Sequence, residues 1–353
     1  MLARSTLPII ILAALAAACS GREKPLRYGP GELDHSRLKP VRISGRMLSG
    51  GDYLGLPTQI SAFGSSLLVL DGASDSALHM ISAVDGHVVR STGRRGEGPG
   101  EYKGAWSIAP DPRHATRAWV YDIALARLTR IDLDSLHGEP AMVQIRGDAV
   151  AMQPVWLSDT LLASPGLSES GRLSFFARDG AFRGAAGPLP SSNTKVPPGV
   201  LQHAWTGRLI SNPGRNLLAM ATLHADQIEI YRTDGTLVRK VRGPFGFEPQ
   251  FTVDVIQGMA VMASGDDMRF GYVGAAATPD HIFALFSGRT REGYGPDSSF
   301  GRFVHVYDWE GNLERVIELD TAVLSVAISP DRRTLYGIRH DPEPAIMAFR
   351  LAD

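Results

Sequence analysis

The sequence contains a single cysteine, Cys19, so neither a disulfide nor a thiolate metal site can form within the chain. It also lacks an excess of either charge. Its 36 basic side chains against 37 acidic ones leave a net charge of -1, without the basic footprint of a nucleic-acid binder. No nucleic acid is expected as a partner. Long apolar runs are missing beyond the first twenty residues, so no later segment is expected to span a bilayer. The ten histidines are scattered, and none sits at the spacing of a His-Glu-x-x-His motif. No metal and no other cofactor is expected.

Catalytic signatures are equally scarce. Gly166-Leu-Ser168-Glu-Ser170 lacks the last glycine of a nucleophile elbow. Gly96-Glu97-Gly98-Pro99-Gly100 lacks the Lys-Ser/Thr pair of a phosphate loop. Asp266 and Asp267 follow Gly265 in a loop and read as solvated carboxylates rather than a calcium site.

What is present begins at the N-terminus. Arg4 supplies a positive start, Leu7 to Ala18 is apolar, and Ala16, Ala17 and Ala18 lead into Cys19. This is the three-part build of a secretory signal, and the run is too short for a stable span. Leu15 to Cys19 resembles the bacterial lipobox, with Ala16 where the common form has leucine. The resemblance implies cleavage after residue 18 and acylation of Cys19. Acyl chains bury enough CH₂ groups to hold a soluble domain at a membrane. Ser20 after the cysteine resembles the outer-membrane sorting pattern. The expected product is an exported, lipid-anchored envelope protein, and the membrane is its first expected partner. Residues 19–39 mix Gly, Pro and charges without hydrophobic period and read as a flexible tether.

Residues 40–353 carry a repeat. Paired alternating strands are joined by an acidic-Gly turn at Asp85-Gly86, Asp179-Gly180, Asp234-Gly235 and Glu310-Gly311. A looser copy turns at Ser135 to Gly138. An apolar strand precedes each pair, as in Ser66 to Asp71, Arg117 to Asp122 and Asn216 to Ala221. Short small-residue strands lie before those, often ending in Pro-Asp, as at Pro110-Asp111, Pro279-Asp280 and Pro330-Asp331. Six groups of about four strands predict an all-β six-bladed β-propeller. The last group is one strand short. The orphan strand Pro40 to Gly45 is expected to complete it and close the ring. Residues 245–268 fit no blade strand. They read as an insertion, a helix or an extra hairpin with an apolar patch from Val253 to Met262; a degenerate seventh blade is the alternative.

The stretch from Gly93 to Tyr102, with Gly98-Pro99-Gly100-Glu101-Tyr102 at its end, resembles the link in bacterial six-bladed NHL- or TolB-like propeller lipoproteins. That resemblance covers about Pro40 to Leu351 and implies architecture and envelope location rather than chemistry.

One constellation stands out. Trp106, Trp156, Trp205 and Tyr272 lie near the start of the innermost strands, with Arg208 nearby. If they converge on the channel mouth, they form a platform for a protein, peptide or carbohydrate ligand. Packing between blades is the plainer use of such rings. Arg95 and Glu97 would sit at one rim, where solvated loop charge is the plainer reading. A monomeric, non-catalytic binding module is therefore expected. The alternative is a hydrolase or lyase of the calcium-dependent lactonase kind, which needs acidic and Asn ligands in the channel.

Overall fold

A computed structural model describes residues 31–134, 140–191 and 195–351. The signal segment, Cys19 and the Ser135 to Gly138 turn lie outside the described residues. The described residues form six sheets arranged as a ring, each built on four antiparallel strands. Blade one comprises Pro57–Phe63, Ser66–Asp71, Leu78–Ser82 and Val88–Thr92; its first strand faces the central axis. Blade two runs from Ala105–Pro110 to Met142–Gln144, and blade three from Val155–Trp156 to Phe182–Ala186. Blade four runs from Gly207–Asn212 to Leu237–Arg242, and blade five from Tyr272–Ala277 to Leu313–Val323. Blade six contains Val326–Ile328, Thr334–Arg339 and Ala345–Arg350.

Alternation within each second strand explains how the ring packs. In Ser66–Asp71, Leu67 and Val69 join a cluster with Tyr336, Ile338 and Ile346 of blade six. Leu68 and Leu70 point the other way, toward Ile108, Ala118 and Val120 of blade two. A strand buried on both faces needs a continuous apolar run, and period two still decides which neighbour each side chain meets. The same sharing fills the remaining interfaces between consecutive blades.

The acidic-Gly turns recur as geometry as well as sequence. Gly86, Gly180, Gly235 and Gly311 have φ of 81°, 84°, 88° and 88°. Each of these hairpins carries a register shift at a matching place, for example between Met80 and Ile81 and between Ile230 and Tyr231. A second recurrent device ties the links to the blades. Asp71, at the end of its strand, accepts backbone N–H bonds from Gly55, Leu56, Ala73 and Ser74. Asp122 does the same for Lys103, Gly104 and Leu125. Ser164 replaces the carboxylate in blade three, where its Oγ accepts from Met152 and Gln153 at 3.0 Å each.

Closure differs from expectation in register. Gly45–Gly50, not Pro40 to Gly45, is the outer strand of blade six, antiparallel to Ala345–Arg350. Val41–Ile43 instead adds a fifth, parallel strand to blade five, pairing with Ile317 to Leu319. The N-terminal segment thus staples two consecutive blades.

The expected tether also ends earlier than residue 39. Glu32 lies 3.2 Å from Arg302 Nε and 3.5 Å from Arg289 Nη2. His35 is fully buried, stacked on Phe303 with centroids 3.6 Å apart. The insertion is a hairpin, Thr252–Ile256 and Met259–Ala263, and not a seventh blade. Its turn residues Gln257 and Gly258 have φ of 51° and 80°, the positive pair that a two-residue hairpin favours.

Candidate functional site

The inner strands enclose a central cavity of about 180 Å³. Its wall draws on all six blades, with Gln59, Ser61, Gln153, Arg208, Ser211 and Ser325 as its main polar side chains. Several of these are occupied with stitching neighbouring inner strands together. Gln59 Oε1 accepts the Ile108 N–H at 3.2 Å, and Gln153 Oε1 accepts the Leu209 N–H at 3.3 Å. Ser325 Oγ accepts the Ile60 N–H at 3.4 Å.

Arg208 is different. Among the described residues lining the cavity it alone carries a charge, and no carboxylate lines the wall. Its Nε donates to the Val273 carbonyl at 3.2 Å, and it forms no ion pair among the described residues. Burial within the ring lowers its pKa from the ordinary arginine value. A guanidinium enclosed by protein without a counter-charge favours the arrival of an anion.

The aromatic residues do not assemble around it. Trp156 is 4% exposed and lies between blades two and three, tilted against Trp119 at 5.4 Å. Trp205 is buried under the inserted hairpin with Ala204 and Ala225, against Phe251 and Met262. Lys240 Nζ sits 5.0 Å from the centre of its ring. Tyr272 is sealed between blades four and five, where its hydroxyl donates to Asp226 Oδ1 at 2.8 Å and meets Tyr307 Oη at 2.8 Å. Burial, reinforced by Tyr307 and Asp226, pushes the Tyr272 pKa well up. Trp106 alone is exposed, at 45%. It stands near the start of its inner strand, two residues before the channel-lining Ile108. Arg208 is likewise near the start of its strand, so the two share one end of the channel.

Arg95 and Glu97 are engaged within the link. Arg95 Nη2 donates to the Gly72 carbonyl at 2.5 Å, and Glu97 pairs with Lys103 at 2.7 Å on the surface. Arg127 collects the carbonyls of Glu97, Gly98 and Glu101. Glu101 turns back to accept the Gly98 N–H at 2.9 Å, and Tyr102 is buried between blades one and two. A Cβ at Gly93, where φ is 83°, would lie 2.9 Å from the Tyr102 ring, which explains glycine there.

The sequence reading missed two buried polar clusters. In the first, Arg172 bonds Glu229 across the interface of blades three and four. In the second, Asp226, Tyr272, Tyr307, His305 and His35 form a chain of contacts. A charged residue between apolar ones in a blade's third strand, as Glu229 is between Ile228 and Ile230, was the available signal for the first.

Closed by its N-terminal strand, the ring is a six-bladed β-propeller. Residues 43–331 match the family described as TolB-like 6-blade propeller-like. The chain belongs to that family. Its fold is similar to the β-propeller domain of Cps50 (Swd1) from Myceliophteria thermophila, at 11% identity and a TM-score of 0.50, covering 87% of this chain and 100% of that one. It is also similar to U3-55K, at 11% identity and a TM-score of 0.53, covering 87% and 98%. At such identity the likeness concerns the fold alone. No curated protein matches the chain.

Proposed function

We propose that this propeller is a non-catalytic binding module of the bacterial cell envelope, held at a membrane by lipid on Cys19. Its ligand enters the end of the channel marked by Trp106 and Arg208 and presents an anionic group, such as the carboxylate of a peptide or an acidic sugar. The observation that carries this reading is Arg208, the one charge among the described residues of the channel wall, which include no carboxylate. A charge-assisted bond to Arg208 orients the ligand, and the exposed Trp106 ring offers apolar contact at low rotamer cost. The lactonase alternative needs acidic and Asn ligands converging on the axis, whereas the described wall carries Gln, Ser and Thr side chains and a cation.

The test uses calorimetric titration with an N-acetylated dipeptide and with its C-terminal amide. The free acid should bind and the amide should not. Arg208→Met should weaken binding roughly tenfold or more, since a hydrogen bond to a charged group is worth about 1.5–3 kcal/mol. Equal binding by Arg208→Met, or by the amide, would remove the channel from the reading. The anchor is tested separately: Cys19→Ala should abolish acyl labelling and release the protein from membranes, and persistent labelling would refute it.

A further inference from the structure

The inserted hairpin leaves four apolar side chains in solvent. Val253, Val255, Ile256 and Met259 are 42%, 65%, 56% and 64% exposed. No charged residue lies between Asp254 and Asp266, so the tip lacks the charges that usually protect an exposed strand. Contiguous exposed apolar surface of this kind marks a contact with a partner or with lipid.

The distribution of the side chains selects between these. Ile256 lies cross-strand from Met259, and Val255 from Ala260. Successive residues of a strand point to opposite faces, so both faces of the tip are apolar. A protein groove, or a second copy lying on the ribbon, covers one face. A medium that is apolar on all sides covers both. Toward its base the ribbon changes character, because Phe251 and Met262 pack on Trp205 and fix the hairpin to the ring.

The start of the described chain points the same way. Arg269, six residues beyond the hairpin, donates from Nη1 to the Gly31 carbonyl at 2.6 Å. Its guanidinium also lies 5.9 Å from the centre of the Phe247 ring, ahead of the hairpin. Gly31 therefore sits at the foot of the insertion. On the reading that Cys19 carries lipid, the sequence from the anchor to Gly31 spans at most about 40 Å when fully extended. The insertion itself leads from Arg242, at the end of blade four's outer strand, to Tyr272, at the start of blade five's inner strand. That is the face on which Gly207–Asn212 and its Arg208 begin.

We propose that the tip of this hairpin inserts into the surface of the lipid bilayer that holds the anchor, as a second membrane contact. Open strand edges are not tolerated in hydrocarbon, so entry stops at the boundary of headgroups and acyl chains. The two apolar cross-strand pairs at the tip supply about 7 Å of depth, similar to the reach of interfacial helices. With anchor and hairpin both engaged, the Arg208 end of the channel faces the bilayer.

The experiment uses residues 20–353, which contain no cysteine, so Ala260→Cys carries a single environment-sensitive fluorophore at the tip. A control is labelled through Val84→Cys, an exposed site beyond Ser82 on the opposite face of the ring. An N-terminal histidine tag, captured by nickel-chelating lipid in phosphatidylcholine vesicles, stands in for the acyl chains. Failure of the hairpin to insert is thereby separate from failure of Cys19 acylation. The tip label should shift its emission to the blue and be quenched by lipids spin-labelled in the acyl chain, while the Val84 label stays in water. Ile256→Asp combined with Met259→Asp, both exposed and outside the core, should lower the ratio of inserted to free tips roughly tenfold or more, because it withdraws apolar side chains from lipid. A tip label that remains as open to aqueous iodide as the Val84 label would overturn the proposal. So would burial of the label that follows protein concentration instead of lipid, which would identify a second copy as the occupant.

Discussion

Lowering the pH from 7.5 to 4.5 should strip the propeller of several kcal/mol of stability, because it holds three histidines neutral in its interior. Burial drives His35 and His224 from the usual 6.5 down to about 4, and holds His305 well below its ordinary value. Each is nearly or fully sealed from solvent. For His35 the bond to the Leu33 carbonyl opposes burial most, Arg302 adds to the effect of burial, and Asp34 weakly favours protonation. An unfolded chain takes up protons at these sites once the pH passes below about 6.5, whereas in the folded chain His35 and His224 do not until about 4, and His305 also holds out well below 6.5. Stability is therefore complete above 6.5 and falls as the pH descends through that window. A shift of this size corresponds to about 3 kcal/mol per histidine, at 1.36 kcal/mol per pH unit. Set against a typical domain stability of about 5–15 kcal/mol, two such groups matter. Asp226 works in the opposite sense. Burial raises its pKa despite the bonds from Gly246, Phe245 and Tyr272, so it offsets part of the loss as the pH falls. Urea unfolding at pH 7.5, 6 and 4.5 measures the slope. His224→Phe, placed edge-on to Phe270, should flatten the dependence, and an unfolding midpoint that stays constant across the range would contradict this account.

The features of the fold that depend on local chemistry were legible. Acidic-Gly turns demand positive φ at the glycine, so they marked four of the hairpins, and the recurrent order of strand types around them gave the six blades. Closure was legible in kind and not in register. Pro40 to Gly45 and Gly45–Gly50 are adjacent, short and weakly patterned, and each found a different sheet edge. Nothing local distinguishes a parallel addition to one blade from an antiparallel one to the next. The docked segment around His35 was invisible for a related reason. Its partners Phe303, His305 and Arg302 lie some 270 residues downstream, and composition alone describes it as linker.

The candidate site shows where pattern reading reaches its limit. An aromatic near an inner strand can face the axis, either neighbouring blade, or the surface. Trp156, Trp205 and Tyr272 went to packing, because burying a large ring between sheets gains more than lining a narrow channel. Arg208 could not be buried between blades without a carboxylate partner, and the axis was the remaining place for it. Arg172 is the contrasting case: the same side chain enters an interface fully because a carboxylate waits there.

That contrast sets the largest single-residue effect expected here. Arg172 and Glu229 side chains are 1% and 6% exposed, with Nε and Oε2 2.9 Å apart. Glu229 also accepts the Tyr231 hydroxyl at 2.6 Å and the Gln227 amide at 2.9 Å, and Arg172 Nη2 donates to the Trp205 carbonyl. The pair therefore bonds blade three to blade four and to the start of blade four's inner strand. Glu229→Ala should cost about 3–5 kcal/mol, since it leaves a buried guanidinium uncompensated. Glu229→Gln should cost less, because it keeps the side-chain volume and one acceptor oxygen for Arg172 and Tyr231, although its NH₂ then faces the Gln227 amide. The decisive comparison is the double variant Arg172→Met with Glu229→Leu. It removes both charges at similar volume and should recover most of the loss, as buried pairs replaced by apolar side chains commonly do. Chemical denaturation of the parent, Arg172→Met, Glu229→Leu and the double variant gives the coupling directly. If the double variant is as unstable as the sum of the two single ones, the pair's worth lies in its hydrogen bonds to Tyr231, Gln227 and Trp205 rather than in charge balance.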